Sequence, residues 1–155
     1  MKLVSSLAIL VIVLGVAAIV IGGVFIGQGI AKNKLIVDRM NVEKVSIALD
    51  PDNPSLYTQI NSMDDAQKAA DTIASHRRGI APTYQDLLGA SRFDATNAQH
   101  LTYAQAMNLE NYLYMAVTAF GLIQVTMANG LFMVITGIAL GGTGVALYRV
   151  GRSQS

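Results

Sequence analysis

Two long stretches of this chain carry no charged side chain, and every acidic residue lies between them. The first runs from Leu3 to Ala31 behind Lys2, and the second from Asn111 to Tyr148, bounded by Glu110 and Arg149. The first is about twice the length of a signal-peptide core of ~7–15 residues, so it reads as an uncleaved membrane helix. As one helix the second would run about 57 Å, nearly twice the ~30 Å hydrocarbon core of a bilayer. Ala128-Asn129-Gly130 is the natural divider, because Asn and Gly tolerate the left-handed backbone of a tight turn. The pattern therefore predicts two segments, Tyr112–Met127 and Leu131–Tyr148, folded as a helical hairpin. Its alternative is one long helix that enters the bilayer only near Thr126, giving two spans in total.

The expected architecture is an all-α integral membrane protein. It divides into an N-terminal transmembrane helix over 1–31, a polar, mostly helical module over 32–109, the hairpin or long helix over 110–149 and a short tail over 150–155.

Within the module, the apolar positions up to about Glu43 continue a helix, whereas Val45, Ile47 and Leu49 alternate as a short strand would. Asp50-Pro51-Asp52-Asn53-Pro54 reads as a loop, since each proline biases its predecessor away from helix. A helix over 63–78 follows, with Ser62 as cap, Asp64 and Asp65 in the first turn, Arg77 and Arg78 in the last, and Gly79 placed to end it. Ala66, Ala69, Ala70, Ile73 and Ala74 make one narrow stripe of mostly small side chains, suited to close packing on another helix. Thr83 caps a short helix stopped by Gly89, 89–100 is irregular, and Thr102 caps a helix that runs into the second apolar stretch.

Composition agrees with the pattern: apolar residues are 52%, charged residues 14%, and mean hydropathy is +0.44, against about a quarter charged residues in an ordinary soluble domain. A net charge of +1 and no basic run longer than Arg77-Arg78 argue against nucleic acid as a partner. With no cysteine, the chain has no disulfide, thiolate metal site, thiol nucleophile or lipidated cysteine.

Small residues recur at helical spacing inside the apolar stretches. Ala18 and Gly22 are four apart, Gly23 to Gly27 is a GxxxG, and Gly137 to Gly141 is another, extended by Gly144. Lipid gives helices no hydrophobic reason to associate, so close backbone approach over small residues must hold them together. These seven residues form the expected helix-packing interface, with the partner either within this chain or in another molecule.

Candidate chemistry is sparse. His76 and His100 are the only histidines and lack metal-ligand spacing, so neither metal nor cofactor is implied. The triplet His76-Arg77-Arg78 is suited to an anionic lipid head group or a partner carboxylate, with a helix C-terminus as the plainer explanation. Gly141-Gly142-Thr143-Gly144 lacks the lysine of a phosphate loop, and no serine sits in a nucleophile elbow. Gln28, Gln124 and Asn129 are the polar residues at or within the apolar stretches, with no ionisable group among them, which disfavours a carrier or proton relay. Tyr103, Tyr112, Tyr114 and Tyr148 lie where a membrane interface favours amphipathic rings.

These features imply a non-catalytic membrane protein, a structural or accessory subunit surrounded by lipid that assembles with itself or with other membrane subunits. A membrane-bound enzyme subunit with a shared site at His76, Arg77, Arg78 and His100, and an oligomeric pore, are the alternatives. With three spans, six Lys and Arg near the membrane ends on the module's side face one on the other, which places the module in the cytoplasm; with two spans that asymmetry disappears.

Overall fold

The computed structural model describes residues 2–44, 46–48 and 57–153. The predicted loop at Asp50–Pro54, with Val45 and Leu49, lies outside them. The chain is overwhelmingly helical: α1 spans Lys2–Val42, α2 Met63–Ile80, α3 Tyr84–Leu88 and α4 Ala98–Ser153. The extended pieces are β1, Ser46–Ala48, and β2, Tyr57–Gln59, paired antiparallel with Ile47 opposite Thr58. Both α1 and α4 are long and apolar enough to cross a membrane.

The principal correction concerns the hairpin. Helix α4 runs unbroken through Ala128-Asn129-Gly130, and the only described residues with positive φ are Lys44 and Gly89. The uncharged run exceeds one span for a different reason: its first part belongs to a protein core. Leu113, Ala116 and Phe120 are buried in one cluster with Ile60 and with Ala66, Ala69 and Ala70 of α2, while Tyr112 and Met115 on the other faces stay exposed. The alanine stripe of α2 lets its backbone come close to that face, and larger side chains from the first turns of α4 fill the remaining space.

Two compact units result, one comprising 34–121 and the other 1–33 with 122–155; α1 and α4 supply residues to both. In the first unit, helix ends follow local chemistry. Lys44, at φ 52°, takes the left-handed position just beyond α1. The Ser62 hydroxyl accepts from the Asp65 amide at 3.2 Å and donates to the Asp65 carboxylate at 2.7 Å, and Thr83 makes the same reciprocal pair with Asp86. Gly79 does not end α2, which continues to Ile80 and is capped by the extended Ala81. Gly89 does end α3, at φ 55° and ψ −120°. Helix α4 starts four residues before Thr102, capped by Asn97, whose side-chain oxygen accepts from the amides of Gln99 and His100. Thr102 instead bonds back to the Ala98 carbonyl at 2.8 Å.

Candidate functional site

The second unit is an antiparallel helix pair joined along glycines. Along α1, Ala8, Gly15, Gly22 and Gly29 recur every seventh residue and are buried; along α4, Gly130, Gly137, Gly144 and Gly151 do the same. The two series meet in reverse order. Gly15 lies against Gly137 and Gly141, Gly22 against Gly130, Gly144 against Ala8 and Ile12, and Gly151 against Val4 and Ser5. Gly29 completes the row against the Met127 side chain.

The approach is closer than any side chain permits. A Cβ on Gly22 would stand 2.5 Å from the Gly130 carbonyl oxygen, and one on Gly130 would stand 2.7 Å from that of Gly22. Gly15 and Gly137 are related in the same way, at 2.7 and 2.5 Å. Each carbonyl thus faces its opposite glycine's Cα hydrogens, the arrangement of Cα–H···O contacts at helix interfaces. An interval of seven is slightly under two helical turns, so a seam kept in register over four repeats favours a left-handed wrap of one helix about the other.

Of the residues expected to pack helices, Gly22, Gly137 and Gly144 lie on this seam, Gly141 meets Gly15 through its backbone, and Ala18 is half-buried. Gly23 and Gly27 differ: both are exposed, and a Cβ on either would meet nothing within 4 Å. The four-residue motif picked out in α1 is therefore not the one that holds this pair. The seven-residue period was present in the sequence as the signal that locates it, including Gly15, Gly29, Gly130 and Gly151.

The cationic triplet is divided by the fold. Arg77 turns inward: its Nε donates to Glu110 at 2.6 Å, a second nitrogen donates to the Tyr103 hydroxyl, and the guanidinium lies 5.0 Å from the Tyr103 ring centroid. Arg77 and Glu110 side chains are 12% and 10% exposed and Tyr103 is fully buried, so Arg77 is not available to a lipid head group and Tyr103 is not an interfacial ring. The Glu110 hydrogen bond raises the Arg77 pKa above its ordinary value. His76 and Arg78 remain exposed.

His100 is buried and serves the loop before α4. Its Nδ1 accepts from the Asp94 amide at 3.1 Å, which requires the tautomer protonated at Nε2, and its ring stacks on Phe93. The Thr96 side chain and amide both donate to the Asp94 carboxylate and hold its pKa below the usual range. On α2, Asp71 is lowered likewise by hydrogen bonds from Gln67 and then Tyr114. Among the described residues no group of three or more His, Asp or Glu is placed to hold a metal ion.

Comparison with protein families, characterised proteins and solved structures finds no match to this chain.

Proposed function

We propose that the chain is a non-catalytic integral membrane protein with two spans, a structural or accessory subunit whose glycine seam fixes its own anchor and whose outer faces meet lipid and other subunits. The observation that carries this reading is the helix pair itself. It is free of acidic residues, is closed along the seam, and turns Val13, Val16, Val20, Val24, Leu131, Phe132, Ile135 and Ile138 outward. Such a surface needs hydrocarbon around it. About 29 apolar residues of α1 and 27 of α4 within the unit give lengths of roughly 40–44 Å, matching a bilayer with its interfacial layers at ~40–45 Å. Lys2 and Arg149 stand at one end of these stretches, and Lys32 at the other.

Support for assembly comes from what the seam leaves over. Gly23 and Gly27 form an outward small-residue face, and Gln28, Gln124 and Asn129 are exposed polar side chains that gain by meeting another helix within the membrane. The shared-site enzyme is less well supported, because Arg77 and His100 are both committed to internal contacts. A pore would have to form between copies, since this pair is closed at its seam.

Two spans put both chain ends on one side and segment 34–97 on the other. The positive charges near the membrane ends are then four, Lys32, Lys34, Arg39 and Lys44, against three, Lys2, Arg149 and Arg152, so the charge asymmetry behind a cytoplasmic module is gone. The test uses single cysteines at Ser91 and Ser153 in this cysteine-free chain and an impermeant thiol reagent on intact cells. Labelling of one site but not the other, from a protein that stays in membranes after alkaline carbonate, is the expected result. Labelling of both sites from outside, or release by carbonate, contradicts it. In mild detergent, a native mass above the 16.5 kDa monomer, from added copies or co-purified subunits, is expected; a bare monomer would remove the accessory role.

A further inference from the structure

We propose that the end of α4 carries a binding site for an acidic phospholipid, an inference that rests on the membrane reading above. A furrow of about 420 Å³ is lined by Ile12 of α1 and by Val145, Tyr148, Arg149, Arg152 and Ser153 of α4. Residues 145, 148, 149 and 152 follow the spacing of one helix face, beside the buried seam residues Gly144 and Gly151. The furrow is therefore graded along its length. Ile12 and Val145 form an apolar floor at the hydrocarbon end, the amphipathic Tyr148 stands at the boundary, and two guanidinium groups lie beyond it.

That order of chemistries matches one kind of molecule, an amphiphile with an acyl chain, a polar glycerol region and an anionic head. Arg149 and Arg152 are three apart, so their Cβ atoms are neighbours and the two planar forks can converge on one phosphate. Electrostatics favour the same ligand, since the helix pair contains no Asp or Glu to compete for either arginine. Cations near a helix C-terminus also complement its dipole, but that effect is confined to the last turn and accounts for Arg152 rather than for Arg149, Tyr148 and the apolar floor. A second, smaller furrow of about 150 Å³ includes Gln28, Lys32 and Thr126, with one cation and no aromatic ring. It serves as the internal control.

The experiment is native mass spectrometry of the full chain in mild detergent, titrated with phosphatidylglycerol or phosphatidylcholine. Near a membrane each Lys or Arg favours an anionic lipid several-fold, so two arginines give an expected preference of at least about tenfold for phosphatidylglycerol. Arg149→Gln with Arg152→Gln should reduce it to less than about twofold, Lys32→Gln should leave it, and Arg149→Lys with Arg152→Lys should retain most of it, which separates loss of charge from misfolding. Equal binding of the two lipids, an undiminished preference in the double glutamine variant, or equal loss in Lys32→Gln would overturn the site. Displacement of phosphatidylglycerol by equimolar inorganic phosphate would make it a simple anion site and overturn the lipid assignment. Release of the wild-type chain by carbonate overturns both the membrane reading and the site, whereas a chain retained in membranes without lipid preference overturns the site alone.

Discussion

Gly22→Leu should loosen the helix pair severely, while Gly23→Leu, one residue away, should leave it intact. At Gly22 even the first carbon of a side chain would meet the Gly130 carbonyl oxygen at 2.5 Å and the Val134 amide nitrogen at 3.0 Å. Backbone atoms on a packed helix cannot swing aside as a side-chain end can, so the helices must separate or shift over several residues. Overpacking in well-packed interiors typically costs about 1–3 kcal/mol, and a site limited by backbone lies at or above the top of that range. Separation would also cost the Cα–H···O contacts at the neighbouring glycine pair. Gly23 meets nothing within 4 Å, and removing a helical glycine there gains up to ~1 kcal/mol of helix propensity. Thermal denaturation of both variants in the same detergent checks the contrast; equal midpoints would refute the seam.

Arg77→Ala should be the most damaging single change in the other unit. It strands the Glu110 carboxylate, 10% exposed, and removes the partner of the buried Tyr103 hydroxyl. Breaking one side of a buried ion pair costs about 3–5 kcal/mol, against a total stability of ~5–15 kcal/mol for a typical domain. Exposure to trypsin within the unit should then rise by a factor on the order of a hundred to a few thousand, since cleavage follows the open population. Replacing the whole cluster, with Arg77→Met, Glu110→Leu and Tyr103→Phe together, should recover most of the resistance, because a buried pair exchanged for apolar side chains of similar size is often nearly neutral. Resistance unchanged in Arg77→Ala would show that the pair is not buried as described.

The local elements were legible because their signals are local. The Ser62 and Thr83 caps, the alanine face of α2 and the stop at Gly89 each depend on residues within a few positions. The hairpin was misread because hydropathy cannot distinguish a face buried against protein from one buried in lipid: Leu113, Ala116 and Phe120 add to an uncharged run while packing on α2. Arg77 and Glu110 are 33 residues apart and carry no mutual signature, so a helix-terminal cation and an internal ion pair look alike in sequence. The seam was visible but sought at the wrong interval. Gly23 to Gly27 satisfies a four-residue motif, yet the antiparallel contact selects every seventh residue, and only Gly22 of that neighbourhood belongs to it.

The most direct measurement asks whether the two ends of one chain meet along this seam. A Cβ at position 151 would stand 3.8 Å from the Val4 Cβ, the separation typical of a disulfide, and the chain has no other cysteine to confuse the result. Val4→Cys with Gly151→Cys should therefore form an intramolecular bond on mild oxidation, seen on a non-reducing gel as a monomer with altered mobility that dithiothreitol reverses. Gly23→Cys with Gly151→Cys should not. Failure of the first pair to close, or its appearance only as a cross-linked dimer, would contradict an antiparallel pair built within one chain.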